Sequence, residues 1–276
     1  MNNLSALGVG RLEAVGVIGD NGEGYDLRRG LERARVGMRW LDASEERFTP
    51  TYTKPMRREH GIEEEMERLD IKNREPLPSE YERRVLDAIR YLVTEEKFHA
   101  VMIADQVQGS NCGVITDRVR EGLAELARKH PETLFFADSR VRIGLFRDVI
   151  VKPNRLEAAQ AMGYTEDRQP NLKETAEFGR RLSARNGRPV FITLGADGIM
   201  ACEPDRVVHV PALPLRGPID IVGAGDSASA GITCALCAGA SMEQAALVGN
   251  LCASVTIHKL GTTGTASPEE LLALLP

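Results

Sequence analysis

The apolar positions of this chain follow two periods in turn, and the alternation runs almost from end to end. Short apolar runs closed by turn residues read as strands, and segments with apolar residues three and four apart read as helices. Residues 12–18 form a strand that stops at the turn cluster Gly19-Asp20-Asn21-Gly22, and 24–34 form an amphipathic helix. Residues 38–41, 49–56 and 65–70 are β-branched or alternating and read as extended, with a charged turn at 57–63. A helix is expected at 80–92, a strand at 99–104, a helix at 114–129 and a strand at 133–137. Then come a strand at 148–151, helices at 154–162 and Leu172–Asn186, a strand at 189–194, and a hairpin of 199–203 with 206–210. Two apolar helices, 226–238 and 242–259, and a small one at 268–275 complete the pattern. Strands alternating with helices predict an α/β fold with a mostly parallel sheet covered on both faces. No internal repeat or low-complexity linker interrupts it, so one domain over residues 1–276 is expected.

Composition narrows the function class. A hydrophobic share of 42% and a charged share of 27% are ordinary for a soluble enzyme. A net charge of −5 and a single Trp argue against a nucleic-acid surface. No run approaches the length of a membrane span, and the N-terminus lacks a basic segment followed by a long apolar core. Five cysteines without framework spacing suit a reducing cytoplasm. Cys234-Ala235-Leu236-Cys237 lies in an Ala-rich helix with no second ligand pair, so small buried side chains explain it better than zinc. Gly16, Gly19, Gly22 and Gly24 do not have the G-x-G-x-x-G spacing of a dinucleotide turn.

Candidate chemistry concentrates in DIVGAGDSASAG, residues 220–231. Gly223, Ala224 and Gly225 leave the backbone approachable, Asp226 follows, and a small apolar helix begins. A glycine-rich turn opening a helix aims free N–H groups at one spot, where they can hold an anion. A carboxylate beside that spot can take a proton from a hydroxyl attacking the anion, which is the equipment for phosphoryl transfer to an alcohol. The alternative is a buried helix start whose carboxylate answers the helix dipole.

The stretch resembles the second signature of the ribokinase-like (PfkB) carbohydrate kinases, roughly D-T-x-G-A-G-D-x-F-x-x-G. Ile221 stands where Thr is usual and Ala228 where Phe is usual. The resemblance implies a ribokinase-like three-layer sandwich with a small β lid inserted at about 46–72. It also implies ATP as phosphoryl donor with Mg2+, Asp226 as catalytic base, and the N–H groups of Gly223, Ala224 and Gly225 as stabilisers of the transferred group.

Further segments fall in the family's order. Asn154 and Glu157 match its N-x-x-E, implying organisation of magnesium through water, and they equally suit a capping box. Thr193-Leu194-Gly195-Ala196-Asp197-Gly198 resembles T-L-G-x-x-G, which would bring Thr193, Gly195 and Gly198 to phosphate; a plain hairpin turn is the alternative. Asn250 and Ser254 lie on the helix that borders adenine in the family, or on a partly solvated face. The loop after it, with Gly261 and Thr262, would line the nucleotide pocket. Asp220, Val222, Thr256 and Thr265 would form a monovalent-cation site for K+. Asp138-Ser139-Arg140 resembles the group's D-x-R at the carboxyl edge of the sheet, or else makes a solvated salt bridge.

The acceptor is read from 51–57 and 66–70, which resemble the T-x-T-K and R-x-D strands of heptose 7-phosphate kinases. Lys54, Arg57 and Arg68 would meet a phosphate already on the sugar, or stay solvated on edge strands. Asp105 keeps the Asp of that group's S-D-Y-x-K-G, whereas its Tyr and Lys are not kept. Lid strands often pair between subunits in this family, so a homodimer is expected. The family's first strand, an early substrate-binding Asp and a G-G-x-x-x-N segment are expected ahead of the stretch at 3–8. Two readings therefore stand: a sugar kinase, or a nucleotide-binding or scaffold protein that keeps the fold.

Overall fold

A computed structural model describes residues 1–59, 62–166, 168–214 and 217–275. Along the chain run α1 (Asn2–Ala6), β1 (Glu13–Gly19), α2 (Gly22–Arg33), β2 (Gly37–Ser44), β3 (Thr51–Thr53), β4 (Met56–Glu59), β5 (Ile62–Glu65) and β6 (Leu69–Ile71). They are followed by α3 (Ser79–Thr94), β7 (Ala100–Asp105), α4 (Asp117–Lys129), β8 (Leu134–Ser139), β9 (Ile150–Val151), α5 (Arg155–Ala161) and α6 (Leu172–Asn186). The last are β10 (Val190–Thr193), β11 (Ile199–Cys202), β12 (Val207–Val210), α7 (Ala224–Cys237), α8 (Met242–Ile257) and α9 (Pro268–Leu272).

The main sheet has six strands in the order β12-β11-β10-β9-β8-β7. β7 to β10 are parallel, and the β11–β12 hairpin continues the sheet antiparallel. Alternation along the strands sets the two faces. Phe135, Ala137, Val190, Ile192, Met200 and Cys202 turn one way, into a core shared with Val85, Ile89 and Val93 of α3, Val119 and Leu123 of α4, and Leu182 of α6. Phe136, Phe191, Ile199 and Ala201 turn the other way, onto Ala228 and Ile232 of α7 and Ala245 and Ala246 of α8. This is the three-layer α/β sandwich expected from the sequence. No helix among the described residues is long and apolar enough to cross a membrane.

The β1–β2 pair is parallel but separate from the six-stranded sheet. Val15 and Val17 nevertheless pack against the larger core. Arg11, just before β1, meets Glu96 at 2.7 Å and lies over the Phe98 ring, which holds the pair beside the start of β7.

Residues 49–56 do not make one strand. Pro55, without an N–H, separates β3 from β4. β3 pairs with β6 and β4 with β5, giving two small antiparallel ladders inside the stretch expected as a lid. Within the expected turn at 57–63 the described residues are strand, and residues 60–61 lie outside the described residues. Below the ladders Arg47 is buried, and its guanidinium donates to the carbonyls of Glu75, Pro76 and Cys112.

Candidate active site

The carboxyl ends of β8, β9 and β10 and the N-terminus of α7 meet at one edge of the sandwich. Gly223 caps α7 at φ 83°, a left-handed conformation that a Cβ would strain. A methyl there would also lie 2.8 Å from Thr263 Cγ2. The turn is closed by the Ala224 N–H, which donates to Ile221 O at 3.2 Å, and Ser227 N–H donates to Gly223 O at 2.9 Å. The N–H groups of Gly223, Gly225 and Asp226 have no partner among the described residues. This corrects the expected trio: Ala224 spends its N–H on the turn, and Asp226 supplies one instead. Free donors at the positive end of a helix form an anion cup.

Asp226 is the third residue of α7, and its carboxylate has no hydrogen-bond or ion-pair partner among the described residues. The side chain is open to solvent, but its surroundings wall it in. Lost hydration, then the Asp138 carboxylate, push its pKa above the ordinary value; Lys152 and Arg140 oppose them. A carboxylate so raised is a stronger base.

Sequence reasoning did not assign Lys152 a role. Its backbone N–H donates to Ala137 O at 2.9 Å, so it extends β9 beside β8. The side chain is 4% exposed, and Nζ meets Asp138 Oδ2 at 3.0 Å. That same oxygen accepts a hydrogen bond from Ser229 Oγ of α7 at 3.3 Å. A methyl on Gly225 would lie 3.7 Å from Nζ, which places the ammonium directly under the cup. The available signal was a lysine just past a strand end, before an Asn-capped helix. Of the two readings of Asp138, the ion pair is realised, and it is mostly buried rather than solvated.

Asn154 and Glu157 do form a capping box: Asn154 Oδ1 accepts the Glu157 N–H at 2.9 Å and Glu157 Oε2 accepts the Asn154 N–H at 2.8 Å. Oε1 of Glu157 has no partner among the described residues. Burial pushes this carboxyl up, the Asn154 N–H opposes it, and Asp138 raises it further. Among the described residues, no three His, Cys, Asp or Glu side chains converge closely enough to hold a metal ion. The carboxylate available at this edge for a metal carried on a phosphate is Glu157, through its open Oε1. Beside Glu157, a recess of about 280 Å3 opens between α5 and the turn at 143–145, lined also by Arg140, Arg142, Gln160 and Arg185.

Thr193 follows the same edge. Its N–H donates to Pro153 O at 3.0 Å, and it bridges Asn154 in parallel, so the N-x-x-E and T-L-G-x-x-G segments are adjacent. The turn after it is a single 3-10 turn, Gly195–Asp197, closed by Leu194 N–H to Gly198 O at 2.8 Å. Gly198 sits at φ 95°, and a methyl there would lie 2.2 Å from Val210 O. Around Gly195 and Gly261 space is open, so a ligand can approach their backbone. Gly261 and Thr262 lie in the loop after α8. Thr263 of that loop backs Gly223.

Other expected residues are committed elsewhere. Asp105, expected at the substrate, is buried in an ion pair: Arg142 donates to it at 2.6 and 3.1 Å and Ser139 Oγ at 2.7 Å. With 1% of its side chain exposed, it is a structural carboxylate. Asn250 is also buried, and its amide donates to Val210 O at 2.9 Å and Pro211 O at 3.2 Å, tying α8 to the end of β12. Arg57 lies on β4, and Lys54 lies between β3 and β4. Arg57 pairs with Glu64 at 2.5 Å and Glu59 at 3.9 Å, both exposed.

Residues 144–270 match the model of the pfkB family carbohydrate kinases. The bifunctional protein HldE of Geotalea uraniireducens is 29% identical over 278 residues, covering 99% of this chain and 53% of its own length. The chain thus spans about half the length of the curated relatives it matches. Among solved structures, phosphofructokinase-2 from Escherichia coli in complex with fructose-6-phosphate aligns with a TM-score of 0.73 at 17% identity, over 99% of this chain and 83% of that one. Ribokinase from Arabidopsis thaliana complexed with ribose and ATP aligns with a TM-score of 0.72 at 14% identity, over 99% and 85%. The resemblance to ribokinase-like (PfkB) kinases and the ribokinase-like fold are both borne out.

Proposed function

We propose that this chain transfers the γ-phosphoryl group of ATP to a hydroxyl of a sugar or sugar phosphate, with a heptose phosphate as the acceptor class. One observation carries the reading: the carboxylate of Asp226, unpartnered among the described residues, stands at the mouth of the anion cup, over the buried Lys152 ammonium.

The mechanism follows from these groups. The free N–H groups of Gly223, Gly225 and Asp226 receive the oxygens of the γ-phosphate. Asp226 takes the proton of the acceptor hydroxyl as its oxygen bonds to phosphorus. The bond from phosphorus to the bridging oxygen breaks, and its electron pair leaves with ADP. Charge grows on the transferred group where the cup and Lys152 already face it, so little reorganisation is needed. Magnesium, when bound on the phosphates, supplies further charge neutralisation. Glu157 and Thr193 orient that end of the nucleotide, and the 261–262 loop lines its path.

Lys54 and Arg57 remain the groups for a phosphate already on the sugar. Exposed ion pairs such as those of Arg57 hold weakly, so exchanging a carboxylate for a phosphate costs little. Exposed Tyr52, Met56, Met66, Leu69 and Ile71 on this lid fit a homodimer, checked by sedimentation at graded concentration. The five free cysteines fit a reducing cytoplasm.

The test is ADP release from Mg·ATP with a panel of sugars and sugar phosphates, heptose 7-phosphate included. Acceptor-dependent ADP release is expected. Nucleotide binding with no turnover on any acceptor would favour a binding or scaffold role instead.

A further inference from the structure

The resemblance implied a monovalent cation held by Asp220, Val222, Thr256 and Thr265, but the structure gives these residues other partners. Asp220 Oδ1 accepts the Val222 N–H at 3.0 Å. Thr256 is buried; its hydroxyl donates to Ser227 Oγ at 2.7 Å and its carbonyl accepts the Lys259 N–H at 3.1 Å. The Thr265 carbonyl accepts from Lys259 Nζ at 2.6 Å. The same ammonium meets Glu270 Oε1 at 2.7 Å and Oε2 at 2.9 Å. A cation attached to the chain therefore already occupies the position beside Thr265. A free potassium ion would have to displace this tethered ammonium from the Thr265 carbonyl, so these residues do not present an open site for one.

The position suits a cation. α8 ends at Ile257, and the negative end of its dipole faces the segment that Lys259 begins. The loop folds tightly over this side chain: a methyl on Gly264 would lie 2.8 Å from Thr256 O and 2.9 Å from Lys259 Cβ. The loop's Thr263 in turn backs Gly223, the cap of the anion cup. A line of contacts thus joins the ammonium to the cup: Lys259 to Thr265, along the loop to Thr263, and on to Gly223.

We propose that Lys259 is a resident cation, whose ammonium, fixed by Thr265 and Glu270, organises the loop behind the anion cup in the role a bound monovalent ion would take, so that the site works without potassium. The exclusion of a free ion stands on geometry alone; the consequence for nucleotide binding rests on the kinase reading.

Two measurements test it. Crystals of the wild-type chain soaked in a thallous salt, a strong anomalous scatterer of potassium's charge and similar size, should show no thallium between Asp220 and Thr265. Wild-type affinity for Mg·ADP, measured by calorimetry, should agree within about twofold in potassium and in tetramethylammonium chloride. Lys259→Met should bind Mg·ADP about tenfold more weakly in tetramethylammonium, as loss of one charged hydrogen bond implies, and recover in potassium. Thallium bound beside Thr265 in the wild type, or wild-type affinity raised about tenfold or more by potassium, would overturn the proposal. These arms need only the wild-type chain, so they hold even if the variant misfolds. Absence of Mg·ADP binding in every salt would sink the kinase reading, while the thallium result would still decide the ion site.

Discussion

Lys152 Nζ and Asp138 Oδ2 meet at 3.0 Å beneath the first turn of α7, with 4% and 20% of their side chains exposed. The pair joins three elements, because Asp138 ends β8, Lys152 follows β9, and Ser229 of α7 donates to the same carboxylate. It is a strut, and on the proposed mechanism it is also a charge next to the reacting groups. Those two roles can be separated by experiment.

Lys152→Met removes the ammonium and leaves Asp138 without its ion-pair partner. Unpairing a buried ion pair typically costs about 3–5 kcal/mol. The 20% exposure of Asp138 puts the loss near the lower end of that range. Lys152→Met with Asp138→Asn should be more stable than Lys152→Met alone in urea unfolding. Catalysis should not recover with it: kcat for both should be down by about 100-fold or more, the scale of a lost transition-state charge contact. Restored turnover in the double variant would reduce Lys152 to a strut.

Asp226→Asn keeps the shape and the N–H of residue 226 but removes the base. The kcat should fall by about 100- to 10,000-fold, the range for a general base, while Mg·ATP affinity changes little. Single-turnover kinetics with equilibrium nucleotide binding separates the two. Undiminished turnover would remove Asp226 from the chemistry.

The pH profile follows from the shift at Asp226. A base works ionised, and a raised pKa means that ionisation is complete only at higher pH. The acid limb of kcat/KM should therefore lie above the ordinary aspartate value, with activity lost as pH falls through it. Asp138→Asn removes a like charge and should move the limb down, whereas Lys152→Met removes an opposing charge and should move it up. Limbs that stay fixed in both variants would point to another titrating group.

Gly223→Ala tests the cup itself. A Cβ at φ 83° and 2.8 Å from Thr263 Cγ2 should destabilise the fold by about 1–3 kcal/mol, mostly as local strain. Nucleotide affinity should fall with it, because the donors move. Thermal unfolding and calorimetry read the two effects, and affinity unchanged in a destabilised variant would place the anion elsewhere.

Much of this was legible in the sequence because it is local. The helix Leu172–Asn186 was bounded correctly: Asn171 and Glu174 close a capping box at its start, and Gly187 ends it at φ 83°. Asn154 and Glu157 could be read from three-residue spacing, and N-x-x-E, T-L-G-x-x-G and G-A-G-D could be read in that order along the chain, but the adjacency of the first two came only with the fold. Less legible was anything decided by a partner far along the chain. Asp105 looked available until Arg142, 37 residues on, claimed both of its oxygens. Asn250 was expected beside the adenine or on a partly solvated face until the end of β12, about 40 residues back, took its amide. The ladders at 51–71 carry little apolar signal of their own, and the sequence merged strands that Pro55 separates.

The sequence by itself determined the periods, the caps and the glycine-rich turn, since each depends on contacts within a few residues. It thereby set the α/β alternation and the position of Asp226 at a helix start. Only the tertiary structure decided which charges are free and which are spent. Lys152 under the cup, Asp105 in its ion pair and Lys259 against Thr265 were settled by packing, because burying a charge without a partner costs too much and the nearest available partner is fixed by the fold.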